Sequence, residues 1–250
     1  MGYTDLHTHT CFCDGHDAPE QMVRAAVEKG ITTLGLLAHS YVDFDRNYAI
    51  DPSRVEDFKK EVARLREAYL GKIDVLLGIE ADYYATEIYE GTDYVIGSVH
   101  YLRFGDKYRS IDASEDEQRA IVSEEFGGDW YAMCEMYYQT LADIRHKCAA
   151  DIVGHFDIVT KFNEGDRLFD TSNERYIRAW QAAADKLIGE GLTFEINTGA
   201  ISRRKRTTPY PARDILDYLK ERGARLVLSS DAHCAKNLAF QFEEYSHWLR

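Results

Sequence analysis

Nine histidines are spread along this chain of 250 residues. Six of them, His7, His9, His39, His100, His155 and His233, fall at or just beyond the end of a short apolar run. Imidazoles gathered with carboxylates are ligands for divalent transition metals, and water activated between such cations attacks esters at neutral pH. Two carboxylates share the position: Glu80 closes the run Val75-Leu76-Leu77-Gly78-Ile79, and Asp231 precedes Ala232-His233. An acid at the rim of an apolar strand is costly without compensation, which a nearby arginine or a carboxylate shared between two cations provides. In Cys13-Asp14-Gly15-His16 either Asp14 or His16 can reach the same rim, although an Asp before Gly also shapes turns. Taken singly, each histidine reads as an ordinary hydrogen-bonded side chain. Packed together with Glu80 and Asp231, imidazoles without metal would carry unfavourable charges and unmet hydrogen bonds, which cations remove.

A basic run, Arg203-Arg204-Lys205-Arg206, interrupts a chain whose formal charge is −13. Such a run is ordinarily a solvated surface. Here it follows Glu195-Ile196-Asn197-Thr198-Gly199, at the same end of the fold as the histidines, and the arginine fork suits the nonbridging oxygens of a phosphate. Of Arg203, Arg204 and Arg206, one or two would turn inward to hold it. The combined chemistry is metal-dependent hydrolysis of a small phosphate monoester.

The elements that must position these residues are short strands near Thr4-His9, Thr33-Ala38, Ile73-Glu80, Tyr94-Val99, Ile152-Gly154, Leu192-Asn197 and Leu226-Ser230. Between several of them lie segments whose apolar residues recur about every 3.6 positions, the pattern of repeated βα units. Pro19 and Pro52 open two such helices, a third runs over Glu174-Ile188, and Ile215, Leu216 and Leu219 mark a fourth that Gly223 ends. In a parallel α/β fold ligands bind at the C-terminal strand ends, so the histidines converge there. Extended backbone puts residues i and i+2 on one face, which pairs His7 with His9, and Asp231 with His233 if the strand runs that far. The interval 112–150 is the longest between strands; its helical spacing fits an elaborated crossover or a lid. No repeat or Gly/Ser/Pro-rich linker divides the chain. A single domain over 1–250 is expected, an α/β barrel of seven strands first and an open doubly wound sheet second.

Composition bounds the partners. The apolar fraction of 45% fits a globular fold, and the acidic balance disfavours nucleic acid and anionic membrane as partners. Cys11, Cys13, Cys134, Cys148 and Cys234 are odd in number with no zinc-finger spacing, so a disulfide scaffold is not expected and a cytoplasmic location is. The chain enters a strand almost at once, with no expected leader, and no apolar run approaches the roughly 18 residues of a membrane span. Oligomeric state is not legible.

The set Asp5-Leu6-His7-Thr8-His9, Asp14-Gly15, His39, Gly78-Ile79-Glu80, Gly97-Ser98-Val99-His100, Gly154-His155-Phe156-Asp157 and Ser230-Asp231-Ala232-His233 resembles the polymerase and histidinol phosphatase (PHP) superfamily. The motifs occur in family order over nearly the whole chain. Within the superfamily the chain is most similar to the histidinol-phosphate phosphatases of PHP type, whose phosphate-contacting arginine before a Tyr-Pro step is matched by Arg203 and Pro209-Tyr210-Pro211. The resemblance implies a distorted seven-stranded (β/α) barrel and two or three divalent ions, zinc, manganese or iron. It assigns one metal to His7, His9, Glu80 and Asp231, with Glu80 bridging to a second bound by His100 and His155. A third would lie between His39, His233 and either Asp14 or His16. Glu80, Asp231, His233 and Arg203 take the catalytic assignments.

The reaction so implied is hydrolysis of L-histidinol phosphate by in-line attack of activated water, with Asp157, Asp112 or Glu164 available to the substrate's amine or imidazole. Another phosphorylated alcohol, a mononucleotide and a noncatalytic metal-binding module are the alternatives.

Overall fold

In the computed structural model, which describes residues 2–249, nine strands and nine α-helices are laid down in chain order among those residues. The strands are β1 (Tyr3–Thr8), β2 (Ile31–Leu36), β3 (Asp74–Asp82), β4 (Tyr94–Ser98), β5 (Tyr101–Phe104), β6 (Lys107–Ser110), β7 (Ile152–Val153), β8 (Thr193–Asn197) and β9 (Arg225–Ser229). The helices are α1 (Pro19–Glu28), α2 (Val55–Ala68), α3 (Glu115–Glu125), α4 (Trp130–Leu141), α5 (Ile144–Cys148), α6 (Glu174–Gly189), α7 (Gly199–Ser202), α8 (Arg213–Glu221) and α9 (Phe242–Tyr245).

Seven strands form one parallel sheet in the order β1-β2-β3-β4-β7-β8-β9. A doubly wound sheet would reverse its strand order at a switch point, and this one does not. Instead the two ends meet. Thr8 bridges Ala232 in parallel, His9 N donates to the Ala232 carbonyl at 2.8 Å, and Ala232 N donates to that of His7 at 3.2 Å. The sheet is therefore a near-barrel, joined at its C-terminal end by the segments that carry His7, His9 and Asp231.

Apolar faces explain where each helix lies. Met22, Val23 and Ala26 of α1 and Phe58, Val62 and Leu65 of α2 are fully buried against Leu34, Leu36 and Val75, as the helical spacing predicts. Inside the ring, Leu37, Tyr94, Ile96 and Ile152 cluster with Leu6, Leu76 and Val227. Residues contributed by strands all round the sheet can meet only at its axis. Tyr94 reaches across that axis to donate to the Leu6 carbonyl. Its ring fills the space that Gly35 and Gly78 leave, where any Cβ would overlap it.

One segment departs from expectation, and another takes one of its two expected forms. A hairpin, β5 paired antiparallel with β6, follows β4 directly; its turn residue Gly105 has φ 60, a conformation glycine adopts freely. The 112–150 interval folds into α3, α4 and α5, and Ile121, Met133, Tyr137, Tyr138, Leu141 and Ile144 are buried with Phe156 and Phe194. It is an elaborated crossover packed into the main core, not a lid. No helix among the described residues is long and apolar enough to cross a membrane.

Candidate metal centre

Glu80 lies at the end of β3, almost completely buried, and its two oxygens face different sets of imidazoles. Oε2 is 3.0 Å from His39 Nδ1, 3.2 Å from His7 Nε2 and 3.5 Å from His9 Nε2. Oε1 is 2.9 Å from His155 Nε2 and 3.4 Å from His100 Nε2, and accepts a hydrogen bond from Ser98 Oγ at 2.8 Å. Asp231 Oδ1 stands 3.5 Å from both His9 Nε2 and His233 Nδ1, and 3.8 Å from His7 Nε2. At the mouth, Asp14 Oδ1 is 3.6 Å from His9 Nδ1 and from His39 Nε2, while Oδ2 is 3.0 Å from His233 Nε2.

These side chains fall into three overlapping groups with ligand geometry: His7, His9 and Glu80; Glu80, His100 and His155; and His9, Asp14, His39 and His233. The donor set is that of a multinuclear site for divalent ions. Two observations test the fit. His9 Nε2 and Asp14 Oδ1 are buried without a hydrogen-bond partner, a costly state that a cation relieves. The charges agree as well. Burial alone would raise the Glu80 carboxyl, but His39 and His7, with hydrogen bonds from His100 and His155, hold it well below its ordinary value. Asp231, opposed by burial in the same way, is held down by Arg203 and His7. Burial would lower His7 and His100, yet the carboxylates beside them hold both well above the ordinary histidine value. A field that draws protons onto imidazoles draws divalent cations equally, and metal binding displaces those protons. His9 differs: burial, then His233 and His39, push it down to about 3. Its ring stacks with each of theirs, with centroids 4.2 and 4.4 Å away, and it stays neutral as a ligand must.

Around this centre a further layer fixes the rings. Glu195 Oε2 accepts from His7 Nδ1 at 2.9 Å, and Glu195 Oε1 accepts from His155 N at 2.5 Å and from Asn197 Nδ2 at 2.8 Å. Asp82 Oδ2 accepts from His100 N at 2.9 Å and lies 3.2 Å from His100 Nδ1. Such outer carboxylates set the tautomer of a ligating histidine. The sequence reading did not single out Glu195 or Asp82. The signal existed, because Glu195 is a carboxylate set between Phe194 and Ile196 within an apolar strand.

The structure also separates residues that the sequence left grouped. Asp14 stands among the ligands, whereas His16 is exposed and belongs to none of the three groups. Extended geometry does not run to Asp231: β9 ends at Ser229, and Asp231 turns back in the left-handed region with φ 46. That turn brings its carboxylate against Gly199, where a Cβ would lie 2.7 Å from Asp231 Cβ and 3.0 Å from Arg203 Nη2.

The basic run is divided too. Arg203 lines the cavity at the metal centre, donating to the Asp231 carbonyl at 2.7 Å and to Asp231 Oδ2 at 2.9 Å. Arg204 is exposed in the left-handed conformation, φ 56, and does not line the cavity. Arg206 is buried facing elsewhere, donating to Thr160 Oγ1 at 2.7 Å with its guanidinium 4.5 Å from the centroid of the Tyr210 ring. The short α7 followed by the turn at Arg204 sends alternate side chains apart. In place of Arg204 and Arg206, Lys205 and Lys161 line the cavity, Lys161 donating to Asp112 Oδ2 at 3.1 Å. Asp112 lines the same cavity, of about 390 Å³, whereas Asp157 and Glu164 open onto a different one. Neither of the latter lines the cavity that holds the metal centre.

Over 97% of this chain and 91% of its own length, a Deinococcus radiodurans protein named "Probable histidinol-phosphatase" is 29% identical. The histidinol-phosphatase of Bacillus subtilis is 27% identical over 98% of each chain. A Listeria monocytogenes crystal structure of a candidate histidinol phosphatase superposes with a TM-score of 0.82 at 20% identity, over 97% of this chain and 99% of that one. The sequence profile of the PHP domain matches residues 5–199, well over half of the chain, and the protein therefore belongs to the PHP domain family.

Proposed function

We propose that this protein is a metal-dependent phosphoesterase that hydrolyses L-histidinol phosphate to L-histidinol and inorganic phosphate. The observation that carries the reading is the division of Glu80 between two sets of imidazoles, with Arg203 on the wall of the same cavity. Two or three divalent ions, zinc, manganese or iron, would be held by His7, His9, Glu80 and Asp231, by Glu80, His100 and His155, and by Asp14, His39 and His233. Such ions lower the pKa of water and neutralise charge on a transferring phosphoryl group.

The chain's own residues do the rest. Glu195 and Asp82 keep His7 and His100 oriented, and Arg203, already tied to Asp231, presents its remaining donors toward the cavity for nonbridging phosphate oxygens. Lys205 and Lys161 add positive charge to that wall, while Asp45 and Asp112 on the cavity lining suit a cationic amine or imidazole at the far end of the ester. Relatives of matching length carry the histidinol-phosphatase name. All five cysteines are free thiols, the state a reducing cytoplasm maintains, and we place the enzyme there.

The test is phosphate release from a panel of phosphomonoesters, including mononucleotides, with zinc, manganese and iron in turn. L-Histidinol phosphate should give the highest kcat/KM, with activity lost on chelation and regained with metal. A better mononucleotide or sugar-phosphate substrate would overturn the substrate assignment. Absence of phosphate release from every ester with every metal would leave a noncatalytic metal-binding module.

A further inference from the structure

A second cavity, of about 570 Å³, lies between the 157–172 segment, the start of α6 and the chain from Arg206 into α8. It is larger than the catalytic cavity and shares no lining residue with it. Arg206 stands at the partition: its guanidinium lies over Tyr210, which lines the catalytic side, and is anchored on Thr160, which lines the other. The hydrolysis proposed above makes no use of this space.

Its inner wall holds Asp157, fully buried. Asp157 Oδ2 accepts from Ala212 N at 3.0 Å, but Oδ1 has no partner. Oδ1 is itself covered, so a ligand's donor would meet it only after a shift of the surrounding side chains; left alone it is a buried acceptor whose cost a donor from the cavity would relieve. The other polar groups narrow the donor's character. Glu164, Asp166 and Asp214 line the same space, so carboxyl groups outnumber the single Arg206, whose terminal nitrogens already donate to Thr160 and Thr208. Opposite them Ile177 and Trp180 of α6, with Ile215 of α8, make an apolar wall. Acidic groups facing an aromatic and aliphatic surface fit a cation attached to a flat apolar body.

We propose that this cavity is a second ligand site, separate from the metal centre, that binds a small primary amine carrying an aromatic or heteroaromatic ring. The ammonium would donate to Asp157 Oδ1, and the ring would lie against Trp180 and Ile177.

Tyramine is a suitable probe. It is titrated calorimetrically into the full-length protein and into the Asp157 and Ile177 variants below, which alter only the second cavity, so that any binding in the catalytic cavity remains in both variants. The component that the variants remove should saturate at one equivalent. 4-Ethylphenol, which has a similar ring and no ammonium, should bind at least about tenfold more weakly. Asp157→Asn should weaken tyramine by about tenfold or more, because the amide turns a donor toward the ammonium. Ile177→Trp, at a half-buried position, should abolish binding by filling the space, and it preserves the test if the Asp157 variant does not fold. Failure of tyramine to saturate, equal affinity for 4-ethylphenol, or unchanged affinity in the folded variants would overturn the proposal.

Discussion

Glu195 accepts the hydrogen bond of His7 Nδ1 at 2.9 Å, and thereby decides which nitrogen of His7 faces Glu80 with a free lone pair. With the proton on Nδ1, Nε2 is available to a metal. Glu195 receives three donors in all, from His7, His155 and Asn197. Glutamine offers one carbonyl oxygen for them and turns an NH2 against at least one. Glu195→Gln should therefore lower metal affinity by about 10- to 100-fold while circular dichroism stays unchanged. Competition against a chelator of known affinity measures it; wild-type affinity would show that Glu195 does not control the tautomer.

Glu80→Gln should remove activity and leave a folded chain. The two oxygens of Glu80 serve different imidazole groups, and an amide supplies one neutral oxygen where a shared negative charge is needed. A fall in kcat of about a hundredfold or more is expected, with reduced metal content. Wild-type turnover and metal content together would rule out the bridging role.

Metal content follows from the three overlapping ligand groups. Protein never exposed to chelator should carry about two or three zinc, manganese or iron ions per chain by elemental analysis. Background levels of all three metals would sink the multinuclear centre. Chelation should also lower the melting temperature, since ions that bind only the folded chain stabilise it.

The arginines should separate cleanly. Arg203→Ala is expected to lower kcat/KM on L-histidinol phosphate by roughly 10- to 1000-fold, the scale of a lost charge-assisted contact, with metal content retained; Arg203→Lys should recover part of it. Arg204→Ala, an exposed position, should change neither activity nor stability. Arg206→Ala removes a buried guanidinium from Thr160 and Tyr210 and should cost about 1 to 3 kcal/mol of stability, read as a lowered denaturation midpoint. Full activity in Arg203→Ala would assign the phosphate to the metals and the lysines.

Gly78→Ala tests the barrel interior. A Cβ there overlaps the Tyr94 ring, so the variant should lose about 1 to 3 kcal/mol through overpacking. Gly78→Ala with Tyr94→Leu should regain stability relative to the single variant, measured by urea unfolding. No recovery would mean that the Tyr94 ring is not what excludes a side chain at Gly78.

Much of the centre was legible in one dimension. In β-strands a short apolar run fixes the element, and an acid or imidazole placed at its end is costly to bury without a partner. That is why His7, His9, His39, Glu80, His100 and His155 could be recognised at strand ends before any contact was known. Period and punctuation likewise marked α1, α2, α6 and α8, whose buried faces repeat along the chain. What the sequence could not decide depended on backbone turns and on partners far apart in the chain. The Asp14 side chain rather than that of His16 meets the His233 imidazole, 219 positions away, because the loop after β1 folds back on the segment beyond β9, where His16 N donates to the His233 carbonyl at 2.8 Å and only its backbone takes part. Arg203 and Arg206 diverge because φ turns positive at Arg204. The run of four basic residues has no periodicity from which that reversal can be read. Asp157 lies two residues from His155 yet lines a different cavity, since β7 ends at Val153 and the chain turns into a 3-10 helix at Ile158, so the i and i+2 alternation of a strand no longer holds. Local pattern determined which residues lie at the strand ends; only tertiary closure of the barrel decided which of them face one another, because contact across the sheet depends on register and turn geometry rather than on spacing in the chain.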